Sequence, residues 1–280
     1  MMPHNHELLA MAQETAVSAG AIIRHNFYQP RQVSSKGFRD VVTDTDFAAQ
    51  AAITDAIRRR WPDHGFLTEE EDSHLPTSGP IIWVIDPLDG TINFSRGVPV
   101  FCVSVAAVQF APDGRPQILA GAVYDPLGEE LFSGQRGQGA TVRSGDGVER
   151  PLHVSAIADL GQVLLTHDWS HVPALREEGL NCIANLTHKV FSIRAVGSAT
   201  LALSWIAAGR VDAYFNFTIK PWDIAAAALL LAEAGGQLTD MTGRPLVWDN
   251  NGMKCLGSNG RVHAPITDIM TQCTNPPIHK

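Results

Sequence analysis

Ile81-Ile82-Trp83-Val84-Ile85-Asp86-Pro87-Leu88-Asp89-Gly90-Thr91 is the stretch on which the reading of this chain turns. The unbroken apolar run from Ile81 to Ile85 has the length of a strand. Its lack of alternation marks a strand covered on both faces. It runs directly into Asp86, and Asp89 follows after Pro87 and Leu88. A carboxylate at the end of a buried strand is costly unless a cation or hydrogen-bond donors compensate it. Two of them in a turn stiffened by proline can point at one spot. Gly90 lets the backbone approach a ligand, and the free N–H groups of such a turn can hold a phosphate oxygen. Hard oxygen donors without a His or Cys cluster favour Mg²⁺ over zinc.

Towards the N-terminus, Leu8, Met11, Ala12, Ala16, Ala19 and Ile23 recur at helical spacing, predicting a helix over Glu7 to Phe27 that Pro30 ends. Ser34 to Asp40 is polar with one glycine and reads as an exposed mobile loop. Thr43-Asp44-Thr45-Asp46 suits a second helix start, with Asp44 as N-terminal charge. Arg58-Arg59-Arg60 suits its end before Pro62. Strands are predicted over about Val98–Phe110 and Ile118–Tyr124, with turns at Pro112-Asp113-Gly114 and Gly145-Asp146-Gly147. Gly134 to Gly139 is glycine-rich but opens no βαβ unit, so it reads as a hairpin region. The first half therefore reads as two helices on a largely antiparallel sheet.

Beyond Val154, short apolar strands (Val163–Leu165, Val211–Phe215) alternate with helices (Gly197–Ala208, Pro221–Ala234), an α/β pattern. Pro221 fits the first helical position and Gly235-Gly236 the end. Residues 1–153 are accordingly expected to form an α+β lobe and residues 154–280 an α/β lobe, with Cys273 to Lys280 a frayed tail.

Composition narrows the function classes. Apolar residues are 45% and charged residues 18% of 280, enough apolar content to exclude disorder over most of the length. Asp plus Glu is 29 against 21 Lys plus Arg, a net charge of -8 that argues against direct nucleic-acid binding. Cys102, Cys182, Cys255 and Cys273 form no Cys-x-x-Cys pair, so reduced thiols in a cytoplasm are expected. The first residues lack a basic segment followed by an apolar one, and no apolar run is long enough to span a bilayer. Neither a secretory signal nor a membrane anchor is expected.

Other acidic candidates are Glu69-Glu70-Glu71-Asp72, after Phe66-Leu67, and Asp223, after Pro221-Trp222. Each has a bland counterpart: a solvated loop for the first, a helix-dipole partner for the second, a turn cap for Asp86. His167-Asp168-Trp169-Ser170-His171 imitates a zinc-protease helix with Asp for Glu. Ser170 and Pro173 favour a loop there, and no third ligand is evident. No Gly-x-Ser-x-Gly elbow occurs.

Asp86-Pro87-Leu88-Asp89-Gly90-Thr91-Ile92-Asn93-Phe94 resembles the Asp-Pro-(Ile/Leu)-Asp-Gly-Thr-x-Asn-Phe signature of the inositol monophosphatase family. Trp222-Asp223-Ile224-Ala225-Ala226 is similar to the family's Trp-Asp motif. Phe66-Leu67-Thr68-Glu69-Glu70 is similar to its Phe-x-Gly-Glu-Glu motif, with Thr68 in place of the usual glycine. Thr43-Asp44-Thr45-Asp46 matches Thr-x-Thr-Asp. All stand in family order, and the similarity runs from about residue 7 to 260.

The resemblance implies a mixed α/β fold, a layered α-β-α-β-α sandwich, and a Mg²⁺-dependent phosphomonoesterase. Two or three Mg²⁺ ions are implied, with Mn²⁺ as a substitute. Glu69, Asp86 and the Leu88 carbonyl would hold the first, Asp86, Asp89 and Asp223 the second, and Glu69 a looser third. Thr91, paired with Asp46, would orient and help deprotonate the attacking water. Gly90 and Thr91 would bind phosphate. Lys36 matches the lysine of the family's mobile loop near the site. The resemblance also places Val196, Gly197, Ser198 and Ala199 on the alcohol side of the substrate. The metals resolve a charge conflict, because Asp46, Glu69, Asp86, Asp89 and Asp223 alone would repel a phosphate dianion.

Inositol-type members carry Glu seven residues before the Asp of Trp-Asp, where this chain has Asn216. Asn216 is neutral and both donates and accepts. The substrate expected is a small polyol or sugar phosphate such as inositol 1-phosphate. Histidinol phosphate, fructose bisphosphate and a 3′-phosphonucleotide are alternatives in the same fold. A regulatory protein acting through a protein partner is the alternative of another class, since some bacterial relatives act in transcription complexes. The resemblance further implies lithium sensitivity and a homodimer.

Overall fold

The computed structural model describes residues 3–30, 32–37 and 40–274. Helix α1 (Asn5–Phe27) leads to an antiparallel hairpin, β1 (Val33–Gly37) and β2 (Asp40–Thr43), and then to α2 (Asp44–Arg60). A seven-stranded sheet follows: β3 (Gly65–Thr68), β4 (Ile82–Asp89), β5 (Cys102–Phe110), β6 (Pro116–Asp125), β7 (Glu130–Gln135), β8 (Ala140–Arg143) and β9 (Glu149–Pro151). Its strands lie in chain order; β3 is parallel to β4 and every later neighbour is antiparallel. The short helix α3 (Thr91–Arg96) stands between β4 and β5.

The rest of the chain runs β10 (Leu164–His167), α4 (Pro173–Leu186), β11 (Ser192–Ala195), α5 (Ala199–Ala207), β12 (Ala213–Ile219), α6 (Pro221–Glu233), β13 (Gln237–Thr239), β14 (Met253–Ser258) and α7 (His263–Thr274). Its five strands order as β11-β10-β12-β14-β13. β10 is parallel to both neighbours, whereas β14 is antiparallel to both of its own.

The layering follows from which faces are apolar. On α1, Leu8, Ala12, Ala16, Ala19 and Ile23 have no exposed surface and form a stripe at helical spacing. Ala49, Ile53 and Ile57 do the same for α2. Strand period then sorts the apolar run of β4: Ile81, Trp83 and Ile85 join the core under α1 and α2, while Ile82 and Val84 join the core of α5 and α6. In β12, Tyr214 faces that central core, while Ala213, Phe215 and Phe217 face the core shared with α4 and α7. The result is the expected α-β-α-β-α sandwich, with α1 and α2 outside one sheet, α5 and α6 between the sheets, and α4 and α7 outside the other.

The structure departs from the sequence reading in places. The segment expected as a loop at Ser34 to Asp40 contributes to a hairpin in which Val33 pairs with Thr43 and Ser34 with Val42. Backbone pairing with the β-branched Val41 and Val42 stabilises β1, which has no apolar alternation of its own to reveal it. β4 continues past Asp86 to Asp89 through a register shift rather than stopping at Asp86. Cys273, assigned to a tail, lies in α7 and is buried. Residues 275–280 lie outside the described residues. All four cysteines are buried and free of disulfides. Among the described residues no helix is long and apolar enough to cross a membrane.

The central layer is set by a close approach. A Cβ on Gly121 of β6 would lie 3.1 Å from the Cα of Ala226 on α6. Gly121→Val is expected to lower stability by about 1–3 kcal/mol through overpacking, read from urea unfolding. An unchanged midpoint would show that α6 does not need this contact.

Candidate active site

One cavity of about 410 Å³ opens where several elements end, a size that suits a small ligand. Glu69 enters it just beyond β3, where its N–H donates to the Ile85 carbonyl at 3.1 Å. Asp86, Leu88 and Asp89 come from the shifted end of β4. The Asp86 carboxylate accepts the Leu88 N–H at 3.0 Å, which folds the Pro87 turn back on itself. Asp223 lies in the first turn of α6, where its Oδ2 accepts the Lys220 N–H at 2.8 Å. Asp89 Oδ2 accepts the Ser198 hydroxyl at 2.6 Å and the Thr200 N–H at 2.7 Å, at the start of α5. Residues far apart in the sequence are thus brought to one cleft between the two sheets.

Gly90 turns the chain into α3 with φ of 97°, a left-handed conformation that side chains resist. A Cβ there would also sit 2.9 Å from the Val100 carbonyl. Thr91 Oγ1 lies 3.1 Å from Asp46 Oδ1 and 2.9 Å from the Leu88 carbonyl, so its single proton serves one of the two at a time. Asp46 is fully buried and caps α2 by accepting the Thr43 N–H at 2.9 Å. Asn93 Nδ2 lies 2.8, 3.0 and 3.2 Å from the carbonyls of Val100, Val196 and Gly197, which share its two protons and tie the turn before α5 to the end of the seven-stranded sheet.

Gly90, Thr91, Gly197, Ala199 and Asn216 line the same cavity as the acidic residues. Asp46 and Ser198 stand behind it and reach it through Thr91 and Asp89. Lys36 lies on β1, and its side chain is outside the described residues. The Asn216 amide is engaged on both sides, donating to Tyr214 Oη at 3.0 Å and accepting the Thr218 N–H at 2.7 Å.

The carboxylates are electrostatically uncomfortable. Burial, followed by the charges of Glu69, Asp89 and Asp223, holds Asp86 well above the usual carboxylate range. Burial pushes Asp89 up to about 6 against the hydrogen bonds from Ser198 and Thr200. Asp223 is likewise raised by burial and then by Glu69 and Asp89. Asp46 rises to about 6, mainly through burial. Lys220 also lines the cavity, but its ammonium lies 5.1 Å from the centre of the Trp222 ring. The donor set is all oxygen, crowded and mutually repelling, which fits a hard divalent cation. Among the described residues no three His, Cys, Asp or Glu side chains are already closed around one point as a finished cage.

Sequence reasoning missed Asp168. It comes directly after β10, but Thr166 and His167 separate it from the apolar Val163 to Leu165, so the strand-end pattern that marks Asp86 is weaker here. Asp168 lines the cavity. It accepts the N–H groups of Val196 at 3.2 Å and of Gly197, and the Tyr214 hydroxyl at 3.0 Å. Burial raises its carboxyl to about 7. The flanking histidines do not act together: His171 is exposed at the cavity, while His167 is buried and stacks on Phe215 at 5.5 Å.

Residues 4–274 match the inositol monophosphatase family. The chain is 41% identical over 241 residues to the Nus factor SuhB of Salmonella typhimurium, covering 85% of this chain and 86% of that protein. It is 35% identical over 266 residues to the inositol-1-monophosphatase of a Synechocystis strain, covering 94% and 88%. Among solved structures, the extragenic suppressor protein SuhB of Bartonella henselae superposes with a TM-score of 0.85 at 30% identity, covering 95% of this chain and 99% of that one. The near-complete match in sequence, the shared fold and the acidic cleft agree, and the chain belongs to the inositol monophosphatase family.

Proposed function

We propose that the protein is a Mg²⁺-dependent phosphomonoesterase that hydrolyses a small polyol or sugar phosphate such as inositol 1-phosphate. The observation that carries this reading is the convergence of Glu69, Asp86, Asp89 and Asp223 on one cavity beside the Thr91–Asp46 hydrogen bond. The family acts on phosphate monoesters, and the cavity size suits a small one.

Glu69, Asp86, the Leu88 carbonyl, Asp89 and Asp223 would hold Mg²⁺. Bound there, it supplies Lewis-acid charge to the phosphate and to a water. The chain's own residues do the rest. Ser198 and Thr200 fix the Asp89 carboxylate, and the Lys220 N–H fixes that of Asp223, so these groups are oriented before any ligand arrives. Thr91 Oγ1 accepts a proton from the attacking water as it passes its own to Asp46 Oδ1. Burial raises the Asp46 carboxyl, which makes its carboxylate a stronger proton acceptor. Gly90 and Thr91 would receive the phosphate, and the Val196–Ala199 turn with Asn216 would face the alcohol. Lys36 would complete the site from β1.

A second reading rests on the name Nus factor carried by relatives 40–41% identical, which suggests a role through a macromolecular partner. Asp89→Asn separates the two. It is expected to lower kcat/KM for inositol 1-phosphate at least about 100-fold, because Asp89 would itself hold the cation and the loss of even a supporting partner of such a group costs about 10–100-fold. If the same variant restores the phenotype of a strain lacking the gene, the partner reading gains and catalysis is not the cellular role. A phosphate-release screen with Mg²⁺ over polyol, sugar, histidinol and 3′-nucleotide monoesters is expected to favour the polyol or sugar esters. Total inactivity would overturn the enzyme reading, and lithium is expected to inhibit the activity found.

The raised carboxyl groups also predict a pH dependence. Folding raises Asp46 and Asp89 from 3.8 to about 6, so the metal-free fold binds more protons than the unfolded chain between these values. Its stability from these groups is therefore present at low pH and lost as pH rises through about 6. The rise in Tm on exchanging EDTA for Mg²⁺ is expected to be small near pH 5 and larger near pH 7.5. An equal rise at both pH values would contradict a cation site built from these groups.

A further inference from the structure

One cavity carboxylate is left without a task by the reading above. Asp168 accepts the N–H groups of Val196 and Gly197 through Oδ1 and the Tyr214 hydroxyl through Oδ2. A carboxylate offers about four acceptor sites, so one remains. Among the described residues no Lys, Arg or His forms an ion pair with it. Its other charged neighbour is Asp89, which is of like sign. Asp168 is only partly buried and lines the cavity, so a donor that enters the cavity can reach the acceptor site that remains.

Its position suits such a donor. Asp168 lines the cavity together with Val196, Gly197 and Asn216. Asn216 cannot replace it as an anion, and its amide is already committed to Tyr214 and Thr218. The chain Asn216–Tyr214–Asp168 runs through contacts of 3.0 and 3.0 Å and holds the carboxylate in place from β12. The negative acceptor on this wall therefore comes from β10.

We propose that Asp168 is a specificity residue for the alcohol part of the ester, accepting a hydrogen bond from a hydroxyl of the leaving alcohol. This inference rests on the phosphomonoesterase reading. It separates Asp168 from a mere clamp on the Val196–Gly197 turn, a role that would affect every ester alike.

The test compares glycerol 2-phosphate with isopropyl phosphate, which has the same carbon skeleton without the two free hydroxyls. The Mg²⁺-loaded wild type is expected to favour glycerol 2-phosphate by at least about 10-fold in kcat/KM, because a site built to bind a hydroxyl discriminates against its absence. Asp168→Asn is expected to reduce that ratio about 10-fold, mainly through KM for glycerol 2-phosphate. Tyr214→Phe, which removes a support and leaves the carboxylate, is expected to keep the ratio within about 3-fold. Equal losses on both esters in Asp168→Asn, or the same change of ratio in Tyr214→Phe, would reduce Asp168 to a clamp and overturn the proposal. A wild type that cleaves both esters equally well overturns it without any variant. A wild type that cleaves neither of these esters but releases phosphate from others in the screen overturns this inference alone, and one inactive on every ester of the screen overturns the phosphatase reading with it.

Discussion

Crowding of like charge in a buried cleft is the constraint on which the rest of the molecule depends. Asp86, Asp89 and Asp223 sit within each other's field with Glu69 beside them. Left alone they repel, and burial removes the water that would screen them. The fold has to hold them by other means. It does so with directional hydrogen bonds from Leu88, Ser198, Thr200 and Lys220, supplied by the turn after β4 and the first turns of α5 and α6. The three-layer centre of the sandwich then serves as a frame that keeps these ends facing one another.

That frame explains why the site sits between the sheets. β4 is buried on both faces because α1 and α2 cover one and α5 and α6 the other. Its end is thus the point where a polar group can leave the core without crossing a helix. β10 ends in the same way, and Asp168 occupies the corresponding place in the second sheet. β4, which ends in Asp89, and β10, which Asp168 follows, give the cavity two acidic walls with different partners.

Much of this was legible in the sequence. The stripe of Leu8, Ala12, Ala16, Ala19 and Ile23 specifies α1 by spacing alone, and the continuous Ile81–Ile85 run specifies a doubly covered strand. The motif at Asp86 to Phe94, with Trp222-Asp223 and Glu69, pointed to residues that the fold brings to one cavity. Other features carried no such pattern. The β1–β2 hairpin is held by backbone pairing, to which apolar periodicity is blind. Asp168 was hidden inside a stretch whose histidines drew attention to zinc. Asn216 was visible as a change of charge, but its engagement by Tyr214 and Thr218 depends on the two-residue return of β12 and could not be read from composition.

Asn93 leads to a last consequence. One side-chain amide spans the Val100 carbonyl near the first sheet and the Val196 and Gly197 carbonyls next to the second. Neither sheet can drift from the other without tearing this staple and moving the turn that steadies Asp89. One polar side chain thus helps to set the gap between the sheets, and a sliding of either would spoil the mutual aim of the acidic residues.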